Sequence, residues 1–195
     1  MSDKYQNKYR IASTRLQYWD YRWASTYFVT ICTHNHEHYF GDIENDKMQL
    51  SHIGILADVL WHEIKNHTKN VELGAYVIMP NHVHGILMIE GNNNLDKQNN
   101  DNVTNKTGHA LSLPTKQTIG QQRFQNIGKN SLSSIIGSYK SAVTKHARRL
   151  GFEFHWQRLF HEHIIREDVK FDKITNYITN NPSSWTKDKF YSKKK

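Results

Sequence analysis

The order of apolar periodicities along this chain predicts an α+β fold: a ferredoxin-like antiparallel sheet of β-α-β-β-α-β order with one added helix at the C-terminal end. Three observations carry the prediction. Strand-like runs, β-branched, aromatic or apolar, occupy residues 26–33, 71–79, 82–90 and 160–166. Two other segments, 51–66 and 131–150, place their apolar residues three and four apart, as one face of a helix does. A Pro80-Asn81 turn signal separates the second run from the third.

The elements follow in order. Tyr27-Phe28-Val29-Thr30-Ile31-Cys32-Thr33 is a strand by propensity. Phe40-Gly41-Asp42-Ile43 and Met48-Gln49-Leu50 flank Glu44-Asn45-Asp46-Lys47, which reads as a small hairpin. Ser51 caps a helix whose buried face is Ile53, Leu56, Ala57, Leu60, Trp61 and Ile64, and which fades near Asn66. Two strands follow, divided by Pro80-Asn81. Ser131 opens the second long helix, with Leu132, Ile135, Ile136, Tyr139, Ala142, Val143, Ala147 and Leu150 on one stripe, and Gly151 ends it. After the fourth strand, Asp168 begins the added helix with Phe171, Ile174, Tyr177 and Ile178, which stops at Asn181-Pro182.

The 195 residues read as one domain with two appendages. Residues 1–25 form a basic and aromatic arm containing Arg10, Arg15 and Arg22. Such an arm either packs its aromatics on the core or holds phosphates and stacked bases. Residues 91–130 are rich in Asn and Gln with few apolar anchors, and read as a flexible insertion. A net charge of +8 fits a polyanionic partner, nucleic acid first of all. Lys140, Lys145, Arg148 and Arg149 fall opposite the apolar stripe of the second helix, as a phosphate-binding surface or as a plain solvated face. No apolar run is long enough to span a membrane, and the polar first residues carry no signal-peptide pattern. Cys32 is the one cysteine, which excludes an intramolecular disulfide and a thiolate zinc cluster. The expected location is cytoplasmic.

Thirteen histidines make metal binding the next question. Three His-x-His pairs compete: His34/His36 (with His38 in register), His82/His84 and His161/His163. Side chains two apart on a strand share a face, so each pair is half a metal site in geometry. His34 to His38 reads as a solvated turn past a strand end. His82/His84 is best placed, after the turn and with apolar residues on both flanks. Among ten tyrosines, Tyr139 falls inside an apolar stripe and reads as core. Tyr177 lies at the margin of its stripe, with Asn181 four residues on and therefore on the same helix face. Pro182 biases Asn181 away from helical dihedrals.

These motifs, in this order, resemble a known family. Tyr76-Val77-Ile78-Met79-Pro80-Asn81-His82-Val83-His84-Gly85-Ile86 is similar to the His-hydrophobic-His (HUH) motif of the single-tyrosine transposases, closest to the branch associated with repetitive extragenic palindromes (REP). Residues 27–33 resemble that family's first strand. Trp156-Gln157-Arg158-Leu159-Phe160 and Glu162-His163-Ile164-Ile165-Arg166 resemble its fourth-strand region. Tyr177-Ile178-Thr179-Asn180-Asn181-Pro182 resembles its nucleophile helix. The 91–130 insertion lies outside the likeness.

The resemblance implies single-stranded DNA cleavage and strand transfer through a 5′-phosphotyrosine, with Tyr177 as nucleophile. It implies a divalent metal on His82, His84 and Asn181; by their place in a partly apolar strand, Glu162 and His163 are candidate groups behind the ligands. Neutral, mostly hard ligands suit Mg²⁺ or Mn²⁺; zinc accepts the same set, so the metal's identity comes from the family. The implied partner is a hairpin or palindromic single strand. The alternative is a domesticated module that binds single strands without chemistry. The family includes monomers and dimers that exchange the tyrosine helix. Residues 167–170 contain no hinge glycine, so the helix is expected to fold back on its own chain.

Overall fold

A computed structural model describes residues 24–90 and 131–192. Nearly all of the N-terminal arm, including Arg10, Arg15 and Arg22, and the 91–130 segment lie outside the described residues.

The strands are β1 (Ser25–Cys32), β2 (Gly41–Glu44), β3 (Lys47–Leu50), β4 (Val71–Met79), β5 (His82–Ile89) and β6 (His161–Ile165). The helices are α1 (His52–His62), a short α2 (Ile64–His67), α3 (Leu132–Arg149) and α4 (Asp168–Thr179). The main sheet has the order β4-β5-β1-β6 and is antiparallel throughout. β2 and β3 pair separately, turning at Asn45 and Asp46, whose φ values of 50° and 61° suit a tight primed turn. The expected α+β ferredoxin-like order is therefore present, with the small hairpin inserted before α1.

Both predicted caps form. Ser51 Oγ accepts from the Gly54 N–H at 3.1 Å, and Ser131 Oγ from the Ser134 N–H at 3.3 Å. The first helical stretch breaks at Glu63 into α1 and α2. Leu150 is 60% exposed, not part of the α3 stripe. It sits past the last helical residue, where Gly151 takes a φ of 85° and turns the chain away.

Strand alternation gives the sheet two unlike faces. One carries Tyr27, Val29, Ile31, Val83 and Leu87 against α1 and α3, and holds most of the core. Tyr139 lies here, buried, donating its hydroxyl to the Ala57 carbonyl at 3.0 Å. Trp61 stacks on Tyr76 and meets Tyr139 edge-on. Its ring lies so close to β5 that a Cβ on Gly85 would come within 2.2 Å of it. The other face carries Phe28, Ile86 and Ile165 under Ile178, Ile174 and Phe171 of α4. α4 packs there on β4, with further contact to β5 and β6. Because Cys32 pairs with His82 and Thr30 with His84, both histidines fall on this second, thinner face.

Candidate metal centre and tyrosine site

The β4–β5 turn is held at its tip. Thr33 donates its N–H and its hydroxyl to the Asn81 carbonyl, both at 2.9 Å, and Phe40 N–H donates to the Pro80 carbonyl at 3.1 Å. His82 and His84 therefore start from a fixed backbone. Their rings lie 4.4 Å apart, between Phe28, Phe190 and Trp185.

The partners of the two Nδ1 atoms orient the rings. The Asn81 Nδ2 donates to the Phe190 carbonyl at 2.9 Å, so its Oδ1 is the end that faces His82 Nδ1 at 2.8 Å. A carbonyl oxygen only accepts. His82 Nδ1 must then carry the proton, which leaves Nε2 as a bare lone pair. That atom is buried and has no hydrogen-bond partner among the described residues. His84 Nδ1 sits 2.8 Å from the Thr30 hydroxyl, which turns its Nε2 to the same side. Burial holds His82 well below the ordinary histidine range and pushes His84 down to about 4, so both rings are neutral at neutral pH.

Tyr177 and Asn181 arrive from α4 and its end. The Tyr177 hydroxyl lies 3.2 Å from His84 Nε2. Asn181 keeps helical dihedrals, φ −60° and ψ −41°, against the bias expected from Pro182. The reason is that Pro182 opens a 3₁₀ turn, Pro182–Lys187, where its missing N–H leaves no bond unmade. The four-residue spacing thus survives, and Asn181 is buried.

One participant was not legible in the sequence. Asp188 Oδ2 accepts from the Tyr177 hydroxyl at 2.7 Å and from Asn181 Nδ2 at 2.9 Å, and Asp188 Oδ1 accepts from the Phe190 N–H at 2.7 Å. Burial raises the Asp188 carboxyl, but the hydrogen bonds from Asn181, Phe190 and Tyr177 outweigh it and leave its pKa below the ordinary range. Burial and the Asp188 hydrogen bond together push the Tyr177 hydroxyl above its ordinary value. Asp188 lies beyond Pro182 in a stretch with no periodicity, so only the folding back of the chain reveals it. Thr30 and Asn81 were visible as strand and turn residues, but not as partners of the imidazoles.

A divalent cation fits the donor set. His82 Nε2 and Asn181 Oδ1 are buried acceptors without a partner among the described residues, a costly arrangement that a cation relieves. His82, His84 and Asp188 also offer ligand atoms within 4.8 Å of one another.

Other expected site residues fall elsewhere. Glu162 pairs with Val29 and so lies on the helix-covered face, away from both imidazoles; one-residue alternation separates it from its neighbours. His163, opposite Phe28, is on the site's face but exposed on the far strand. Lys145, Arg148 and Arg149 are exposed on α3, across the sheet from Tyr177. Lys140 is not free on a solvated face. It donates to the carbonyls of Gln157 and Arg158 at 2.6 and 3.2 Å, because α3 packs against that loop. The 34–38 segment is not a solvated turn either. His34 is exposed, but the His36 ring packs on Phe190 and the His38 ring on Trp185, both from the C-terminal segment that covers it.

The fold is similar to that of a REP-associated tyrosine transposase. A solved structure of such a transposase bound to a REP hairpin aligns over 89% of this chain and 74% of its own, with a TM-score of 0.54 and 17% identity. An uncharacterised protein of Haemophilus influenzae is 37% identical over 180 residues, 92% of each chain, and this chain belongs to the family of that protein. No protein-family model matches the chain. Among the described residues no helix is long and apolar enough to cross a membrane.

Proposed function

We propose that the protein is a metal-dependent transposase that cleaves and rejoins single-stranded DNA through Tyr177. The observation that carries this reading is the Tyr177 hydroxyl 3.2 Å from His84 Nε2, with His82 Nε2 and, four residues beyond Tyr177, Asn181 Oδ1 left as buried acceptors without a partner among the described residues.

His82, His84 and Asn181 would hold Mg²⁺ or Mn²⁺. When bound, the ion polarises the scissile phosphate and offsets developing negative charge. Tyr177, 40% exposed, is open to a strand from solvent, unlike buried Tyr139. Its oxygen loses its proton and forms a bond to phosphorus, the bond from phosphorus to the 3′-oxygen breaks, and that oxygen takes up a proton and leaves as a 3′-hydroxyl. The product is a 5′-phosphotyrosine, which keeps the phosphodiester energy and lets a later 3′-hydroxyl reverse the step. Phe28 meets the Tyr177 ring edge-on, with ring centroids 6.3 Å apart. The solved neighbour's REP hairpin supports a structured strand as the substrate.

The test is a labelled hairpin-containing single strand incubated with the protein and Mn²⁺, then run in SDS. We expect a covalent adduct with the native chain and none with Tyr177→Phe or in excess chelator. An adduct that persists in Tyr177→Phe assigns the nucleophile elsewhere. No adduct with any divalent ion, alongside tight binding that survives His82→Ala and His84→Ala, makes the protein a binding module.

A further inference from the structure

We propose that Asp188 is a positioning residue that fixes the Asn181 amide so that its oxygen, and not its NH₂, faces the two histidines; the inference rests on the metal reading above and names the group that sets the third ligand.

The argument begins with the two-ended amide. A primary amide presents an acceptor and a donor of nearly equal size, so at the end of a helix its two orientations differ little in packing. A carboxylate removes the degeneracy because it accepts only. Asp188 Oδ2 stands 2.9 Å from Asn181 Nδ2, so the NH₂ must take that side. Oδ1 is thereby turned to the buried side, where no donor meets it among the described residues. The same Oδ2 accepts the hydrogen bond of the Tyr177 hydroxyl at 2.7 Å, with the phenol oxygen beside His84. One carboxylate oxygen thus orders both α4-derived groups at once.

Asp188 is held for this task. Its other oxygen accepts from the Phe190 N–H at 2.7 Å, and the Phe190 ring packs 4.9 Å from the His82 ring. The Phe190 carbonyl accepts from Asn81 Nδ2, and Asn81 Oδ1 orients His82. The segment that carries Asp188 is therefore tied to the imidazole it faces. Three donors already occupy the carboxylate, whereas Asn181 Oδ1 has none. This favours Asp188 as the group behind the ligand over Asp188 as the ligand itself. A partner of this kind is typically worth about 10–100-fold in metal affinity.

The experiment measures Mn²⁺ binding by electron paramagnetic resonance of the free ion, on the full chain without DNA. Asp188→Ala should weaken binding about 10–100-fold. Asp188→Asn should do the same while keeping the side chain's size, because its NH₂ must face either the Phe190 N–H or the Tyr177 and Asn181 donors. Thermal melts check that each variant folds, and Asp188→Asn serves if Asp188→Ala does not. In an Asn181→Ala background the further cost of Asp188→Ala should shrink to less than about threefold, since there is no amide left to orient. An equal loss in both backgrounds overturns the inference and makes Asp188 a ligand or a bare charge. So does a loss below about threefold in the native background. A native chain with no Mn²⁺ site sensitive to His82→Ala overturns instead the metal reading beneath it.

Discussion

On the face of the sheet covered by α1 and α3, Trp61, Tyr76 and Tyr139 stack and interlock over Gly85, and the Tyr139 hydroxyl is satisfied by the Ala57 carbonyl. On the other face, a smaller apolar patch under α4 gives way to two neutral imidazoles, an amide and a carboxylate, two of whose buried acceptors lack partners among the described residues. The same strands build both. The first face gains its stability from close packing, and it too leaves one donor, Trp61 Nε1–H, without a hydrogen-bond partner among the described residues. The second holds polar atoms out of water without satisfying them, which costs stability and leaves them available to a ligand. The comparison teaches that β5 serves as the wall of a core on one side and the floor of a site on the other.

Changes made face by face should separate the two roles. Trp61→Ala removes a fully buried ring from the packed face and should cost about 3–5 kcal/mol by chemical denaturation. If it costs less than about 1 kcal/mol, the packed face is not where stability resides. On the site face, acid is the probe. His84 moves from an ordinary 6.5 to about 4 in the fold, with burial the largest cause. Between those values the unfolded chain takes up a proton that the folded chain refuses. Metal-free stability should therefore be full above about pH 6.5 and fall as pH drops towards 4, by about 3 kcal/mol from His84, with His82 adding in the same direction. His84→Gln should flatten that slope.

Gly85→Ala joins the faces. The added methyl meets the Trp61 ring, and overpacking of this kind costs about 1–3 kcal/mol. Because Gly85 follows His84 directly, the displaced strand should also weaken Mn²⁺ binding. Unchanged metal affinity in a destabilised Gly85→Ala would show that the two faces are mechanically independent. Ser131→Ala, which removes the α3 cap far from the site, should cost about 1 kcal/mol and leave metal affinity unchanged. The smallest effect on stability belongs to Tyr177→Phe. It removes the hydroxyl's contacts with Asp188 and His84 from a half-exposed side chain, which should cost about 1 kcal/mol or less in a thermal melt, while the proposed covalent adduct should be lost.

Much of this was legible before folding. Residue types and spacing determined the strand-helix order, the two serine caps, Tyr139 as core, and the faces on which His82, His84, Tyr177 and Asn181 lie. Those are properties of single elements, and a period of 2 or 3.6 encodes them locally. What only the tertiary structure decided involves segments without a period. Asp188 is recruited by a chain that turns at Pro182 and crosses back over β5. His36 and His38 are covered by that same segment, Lys140 is drawn to the carbonyls of a loop, and Asn181 keeps its helical dihedrals because a 3₁₀ turn follows. Each is a contact between residues distant in sequence or a conformation set by what comes next, and periodicity carries no information about either. The sequence alone determined the faces on which His82, His84, Tyr177 and Asn181 lie; the closure of the chain over them added Asp188 and decided how their polar atoms are oriented.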